Sequence, residues 1–128
     1  MKNILSLTLF SALMLMALPA VSQQKAKWKE MEEFHEVMSK TFHPAEEGKL
    51  EPIKAGSGEM VNKAVAWKNS TAPAGYDQAA VQKNLGKLVK GAKKVDNLVR
   101  KSASDADIKE QLTELHNIFH EIVEKWEH

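Results

Sequence analysis

The sequence predicts an all-α fold, an antiparallel up-down-up-down four-helix bundle. Four stretches of about 17 to 25 residues repeat apolar side chains at alternating steps of three and four. No segment alternates with period two, which removes any sheet from consideration. The intervening segments are short and carry Pro44, Gly48, Pro73 and Gly75, residues that end helices and shape turns. Short links make consecutive helices antiparallel neighbours.

The elements follow in order. Met1-Lys2-Asn3 gives a short positive start, Ile4 to Leu18 is an apolar run, and Ala20-Val21-Ser22 supplies small residues at a cleavage site. That pattern is expected of a secretory signal peptide over residues 1–22, too short and wrongly flanked for a stable membrane span. The bundle domain then covers residues 23–128. Helix 1 is expected from Lys25 to Phe42, with Trp28, Met31, His35, Met38 and Phe42 on its apolar stripe. Helix 2 begins near Glu51-Pro52, where proline suits a first helical position, and presents Ile53, Ser57, Met60, Ala64 and Trp67. Helix 3 follows Asp77 as N-cap and presents Val81, Leu85, Leu88, Ala92, Val95 and Val99. Helix 4 follows Ser104, with Asp107 three residues on, and presents Ile108, Leu112, Leu115, Phe119, Ile122 and Trp126. The links are His43 to Leu50, Asn69 to Tyr76, and a tight Ser102-Ala103-Ser104.

Composition narrows the function classes. There is no cysteine, which rules out a disulfide, a thiolate metal site and a lipid-anchored N-terminus. Lys2 is the one charged residue in the leader, so 17 basic residues balance 17 acidic ones in the rest. A neutral total gives no electrostatic reason to expect nucleic acid or an anionic membrane as partner. Glycine-rich nucleotide motifs are missing, and no serine has a convincing base nearby, so an enzyme is not expected. The lysines of helix 3, including Lys87, Lys90, Lys93 and Lys94, read as a solvated face.

The histidines are the residues that carry chemistry. His116 and His120 stand four apart on helix 4 and share a face, and His35 is placed on the apolar stripe of helix 1. Setting Lys25 level with about Glu127 puts His35 opposite residue 117, between the two helix 4 rings, at a rise of about 1.5 Å per residue. The three imidazoles then form one layer inside the bundle. His43 lies about 12 Å along the axis from His35, and whether it joins that layer is left open. Three buried imidazoles need partners. Zn(II) or Cu(II) would supply one, with Met38 or a glutamate as fourth ligand. Glu32, Glu36, Glu121 and Glu124 would supply another as hydrogen-bond acceptors, with no metal at all. Met31 and Met38 read as core filling or as a soft axial ligand to haem iron or Cu(I). A di-iron carboxylate site is disfavoured, because Thr113 and Asn117 stand where helix 4 needs a second glutamate.

Architecture and the helix 4 segment His116-Asn117-Ile118-Phe119-His120 together resemble the cytochrome c-prime and b-type four-helix cytochrome superfamily. In c-prime proteins this place holds Cys-x-x-Cys-His. His116 and Phe119 stand where the cysteines would be, and His120 stands at the axial histidine. The missing cysteines exclude covalent haem. The resemblance therefore implies non-covalent haem, held as in the b-type relatives by His120 with Met31 or His35.

The functional expectation is an exported bundle binding non-covalent haem (His120, Met31, His35) or a transition metal (His35, His116, His120). It would serve electron transfer or metal handling in the periplasm or outside the cell. A dimer stays open. The alternative is a cofactor-free periplasmic stress or binding module.

Overall fold

The computed structural model describes residues 27–126. The leader expected over residues 1–22, the Trp126 side chain and His128 lie outside what is described, and helix 1 begins at Lys29, four residues after the expected Lys25, because Trp28 at its N-cap is extended, φ −110°. Four helices make up the fold: α1 Lys29–Glu46, α2 Glu51–Asn69, α3 Gln78–Arg100 and α4 Asp105–Trp126. Consecutive helices pack side by side and α1 closes the ring against α4, while Trp67 of α2 reaches Phe119 of α4 across the core. The all-α, up-down-up-down bundle is thus as expected, and no strand occurs among the described residues. None of these helices is long and apolar enough to cross a membrane.

The expected stripes of α2, α3 and α4 are buried, save that Val99 at the end of α3 is half-buried. Ile53, Met60, Ala64 and Trp67 of α2 meet Val81, Leu85, Leu88, Ala92 and Val95 of α3, and Ile108, Leu112, Leu115, Phe119 and Ile122 of α4. Each of the large apolar side chains contributes about 1.5–3 kcal/mol on leaving water. Ser57 is buried in that stripe because its hydroxyl donates to Asp96 Oδ1 across the α2/α3 contact at 2.8 Å. Arg100 holds the other oxygen of Asp96 at 2.9 Å. Gly91 lets α3 come close to α4, since a Cβ there would meet Leu115 Cδ1 at 3.0 Å.

Helix 1 departs from its expected stripe. Its buried residues are Phe34, Val37, Met38, Thr41, Phe42 and Ala45. His35 is exposed and Met31 only half-buried, so the stripe Trp28-Met31-His35-Met38-Phe42 does not line the core as a unit. The reason is the competition around the helix. Turning α1 to bury Phe34 and Val37 removes more apolar area from water than burying an imidazole, and spares the imidazole's desolvation.

Helix 1 also runs four residues past its expected end at Phe42. Pro44 was expected to break it, yet it occupies the last turn, where a missing N–H removes one bond. The helix closes instead at Gly48, φ +84°. Lys49 N–H donates to Pro44 O at 2.9 Å and Gly48 N–H donates to Ala45 O at 3.0 Å, the paired bonds of a Schellman motif. His43 therefore belongs to helix α1 and not to the link.

The two expected N-caps form. The Asp77 carboxylate accepts from Ala79 N–H at 3.1 Å and Ala80 N–H at 3.3 Å. Ser104 Oγ accepts from Asp107 N–H at 3.1 Å. Helix α3 ends in a second Schellman motif, with Ala103 N–H donating to Leu98 O at 3.0 Å and Ser102 N–H donating to Val99 O at 3.1 Å. Here the left-handed residue is Ser102, φ 54°. A left-handed L-residue costs about 1–2 kcal/mol, part of which glycine returns through its larger unfolded-state entropy. Ser102→Gly should therefore stabilise the bundle by about 0.5–1 kcal/mol, a rise of several degrees in thermal midpoint. A lower midpoint in a thermal melt would contradict that account of the turn.

Tryptophans close one end of the core. Trp28 meets Trp67 edge-on at 5.8 Å and Tyr76 at 5.1 Å. Trp28 Nε1–H donates to Ser70 Oγ at 2.8 Å, which donates on to Trp67 O at 2.6 Å. Among the described residues, Trp67 Nε1 is the one buried side-chain nitrogen or oxygen without a hydrogen-bond partner. A row of rings continues inward from Trp67 to Phe34 and Phe119, at 5.6 and 6.0 Å. That row ends at the histidines.

Candidate functional site

The four-helix ring is least tightly closed between α1 and α4. Two recesses follow this seam. One, of about 230 Å³, is lined by His35, His43, His116 and His120, with Met38 and Phe42 on its α1 side. The other, of about 500 Å³, adjoins it and is lined by Met31, Glu32, His35, His120 and Glu124. The histidines thus gather on a surface groove. They do not form the interior layer expected for His35, His116 and His120: His35 and His120 are exposed and His116 is half-buried.

The α4 pair is brought together by the helix itself. His116 Nε2 and His120 Nε2 are 3.1 Å apart, and their ring planes are inclined by 66°. On the far side of His120, Glu124 Oε1 stands 3.6 Å from Nδ1. The two Nε2 atoms lie within hydrogen-bond distance, one ring donating and the other accepting according to their tautomers. His116 is fixed by the core, its ring stacked on Phe42 with centroids 3.8 Å apart and planes within 14°. Helix 1 contributes its histidines on either side. His35 stacks on Phe119 at 5.2 Å and 24°, and Phe119 meets His120 edge-on at 5.9 Å.

These stacks set the register between the helices. Phe42 sits against His116, where the expected alignment had put about residue 110 of helix 4. His35 is level with Phe119 and not with residue 117. The shift slides α1 along α4 and places the His116–His120 pair between His35 and His43. His43, whose membership sequence reasoning left open, lines the recess with them. Gly48, as the left-handed residue after a helix, was the available signal that α1 continues through it.

As the side chains stand, no three His, Asp or Glu among the described residues are grouped tightly enough to hold a metal ion. His116 and His120 supply two donors in place. His35 and His43 are exposed at the rim, and exposed side chains change rotamer within nanoseconds. Met31 lines the larger recess with His35 and His120, and is separate from the smaller recess where His116 lies.

Burial pushes the His116 imidazole below its ordinary pKa, and repulsion from His120 adds to this. Glu46 opposes the shift, while His43 and His35 contribute further repulsion. The sign for folding follows. As pH falls through the ordinary value of 6.5, the unfolded chain takes up a proton at His116 before the folded one does. Stability therefore declines as pH falls from 6.5 toward the lowered folded value, and is insensitive to this group above 6.5. Urea midpoints of the metal-free protein should fall between about pH 7.5 and about pH 5, and fall less in His116→Gln. Equal pH slopes in the two proteins would contradict a buried neutral ring.

A further groove between α1 and α2, of about 470 Å³, is lined by Glu33, Glu36, Lys40 and Lys63 among others. Its charges satisfy one another, with Lys40–Glu36 at 2.7 Å and Lys63–Glu33 at 3.5 Å. The hydrogen bond from Lys40 holds the Glu36 carboxyl below its ordinary range. No protein-family model, curated protein or solved structure matches the chain.

Proposed function

We propose that this protein is an exported four-helix bundle that binds a transition-metal ion on the α1/α4 seam and serves in metal handling. One observation carries the reading, the 3.1 Å between His116 Nε2 and His120 Nε2. Two imidazole nitrogens each about 2.0–2.1 Å from one ion lie roughly 3 Å apart when their angle at the metal is near 90–109°. The i, i+4 pair therefore has the bite of a chelate before any ion arrives. Glu124 beside His120 Nδ1 and Phe42 against His116 orient the two rings, as partners of metal-bound imidazoles do. His35 stands at the rim of the same recess as a further donor.

Haem is the second reading, favoured by one observation. Met31, His35 and His120, the residues that the cytochrome resemblance implies, line one recess of about 500 Å³. Axial ligands of a haem iron approach from opposite faces of the ring. His116 and His120, with adjacent nitrogens, cannot both serve that iron, so haem would use His120 and leave His116 aside, whereas a bare ion uses both. The export assignment rests on the leader sequence alone.

Elemental analysis of the purified, processed protein, with an absorbance spectrum before and after haem addition, separates the readings. Bound zinc or copper that is lost in His116→Ala is the expected result. A sharp Soret band lost in His120→Ala would replace the metal reading with haem. Neither metal nor band, even after titration with zinc, copper and haem, would leave a cofactor-free module.

A further inference from the structure

We infer that the outer face of α3 and α4 is the contact surface for a second copy of this chain, held side by side and parallel by two rows of opposite charge. The inference is independent of the metal reading. It uses the flank of α4 that meets α3, away from the histidine groove that α4 shares with α1.

Lys83, Lys87, Lys90 and Lys94 recur along α3 at steps of four, three and four, and Asn97 continues the row. That spacing keeps them on one line down the helix. Asp107, Glu110, Glu114, Asn117 and Glu121 recur on α4 at steps of three and four and form a second line. Every one of these side chains is exposed. No ion pair among the described residues uses a lysine or a carboxylate of either row. Asp96, the acidic residue of α3, is turned toward α2, where Ser57 and Arg100 hold it.

The two rows are in step. Counting away from Ala103 in both directions sets Lys94 level with Glu110, Lys90 with Glu114, Lys87 with Asn117 and Lys83 with Glu121. The close approach of Gly91 to Leu115 agrees with that register, as does the recess that Lys90 and Lys94 share with Gln111 and Glu114. Neighbouring helices lie about 8–10 Å apart, so the rows run beside one another.

This pattern selects the partner. An extended anionic surface drawn to the lysines would also meet the carboxylates beside them. A second copy related by a two-fold axis parallel to the helices lays its lysine row on the first copy's carboxylate row, and symmetry supplies the reverse contact. Charges that are level within one chain are then level between copies, Lys83 with Glu121, Lys90 with Glu114 and Lys94 with Glu110. A two-fold axis across the helices would set lysines against lysines, which excludes the antiparallel pair. Between the rows, a recess of about 210 Å³ floored by Gly91, Leu115 and Ile118 gives the contact an apolar centre. The balance of 17 basic and 17 acidic residues after the leader leaves no net repulsion between copies. From Lys83 to Asn97 the patch is about 21 Å long and two helices wide, at the small end for a specific interface. The dimer is therefore weak, concentration-dependent and sensitive to salt.

Sedimentation velocity of the processed, metal-free protein, from micromolar to millimolar concentration and at low and high salt, is the experiment. The parent chain is expected to pass from monomer to dimer, at lower concentration when salt is low. Lys90→Glu with Lys94→Glu should weaken dimerisation by more than about 100-fold, and so should Glu110→Lys with Glu114→Lys. Circular dichroism should stay unchanged in both, because all four positions are exposed. Mixed in equal amounts, the two double variants should form a heterodimer, since each like-charged contact of the homodimers becomes an opposite-charged one. A parent chain that stays monomeric at low salt and millimolar concentration would overturn the inference. So would variants that dimerise as the parent does, or a mixture that stays monomeric. A monomeric parent that binds anionic phospholipid vesicles, and loses them in Lys90→Glu with Lys94→Glu, would also overturn it and give the lysine row to a membrane surface.

Discussion

His120→Ala is expected to bind zinc or copper more than about 100-fold more weakly than the parent chain. The estimate starts from what loss of an outer hydrogen-bond partner of a ligating imidazole costs, about 10–100-fold in metal affinity. Loss of a ligand itself must exceed that, because one of the two nitrogens set 3.1 Å apart is gone. The His116 ring alone then offers a single donor in place. Glu124→Gln supplies the graded control. It removes the charge beside His120 Nδ1 and keeps the shape, and Glu124 is 71% exposed at 3.6 Å. Its effect should be no larger than about tenfold, the low end of the range for such partners. His120 itself is exposed, so its replacement should leave the thermal midpoint of the metal-free protein within about 1 kcal/mol of the parent. Titration calorimetry with zinc, followed by a thermal melt of the same samples, measures both. Unaltered affinity in His120→Ala would remove the pair from the site.

Trp67→Ala is expected to have the largest effect on stability, about 3–4 kcal/mol. The ring is fully buried and touches Trp28, Phe34 and Phe119 at centroid distances of 5.8, 5.6 and 6.0 Å. Truncating a buried tryptophan costs about 3–5 kcal/mol, cavity included. The aromatic pairs add to the cost, while removal of the unpartnered Nε1–H returns about 1–3 kcal/mol. For a domain of this size the change lowers the midpoint by roughly 15–25 °C. A chemical denaturation curve gives the energy directly, and a loss below about 1 kcal/mol would show that the aromatic row is not the core of this end. Phe119 links the two predictions. It packs on Trp67 in the core and on His35 at the groove, so part of the site's rigidity comes from this row of rings.

The helices were legible because burial of α2, α3 and α4 rests mainly on apolar side chains, with Ser57 and Asn84 as buried polar exceptions. Ile53, Met60 and Trp67 have no competitor on their helix, so period and burial agree. Helix 1 has two overlapping candidate faces, His35 with Met31 and Phe34 with Val37. Period alone cannot choose between them, and the core of the other three helices decides for Phe34. The same helix carried a second ambiguity at its end. Pro44 is a strong local signal to stop, but it falls in the last turn of α1, and the end carbonyls of Pro44 and Ala45 are satisfied by the turn at Gly48. Those two misreadings placed the site in the interior and left His43 unassigned. The His116–His120 pair was legible because spacing on one helix fixes it without any tertiary contact. His35 was named as its partner and lines the same recess, but the α1/α4 register was not legible, because it depends on Phe42 and Phe119 finding His116 and His35.

Crystals of the zinc- or copper-loaded protein, measured at the metal's absorption edge, test the central claim most directly. The account predicts an anomalous peak between His116 Nε2 and His120 Nε2, about 2.0–2.1 Å from each, in the recess between α1 and α4. A peak elsewhere on the surface, or none at saturating metal, would contradict it.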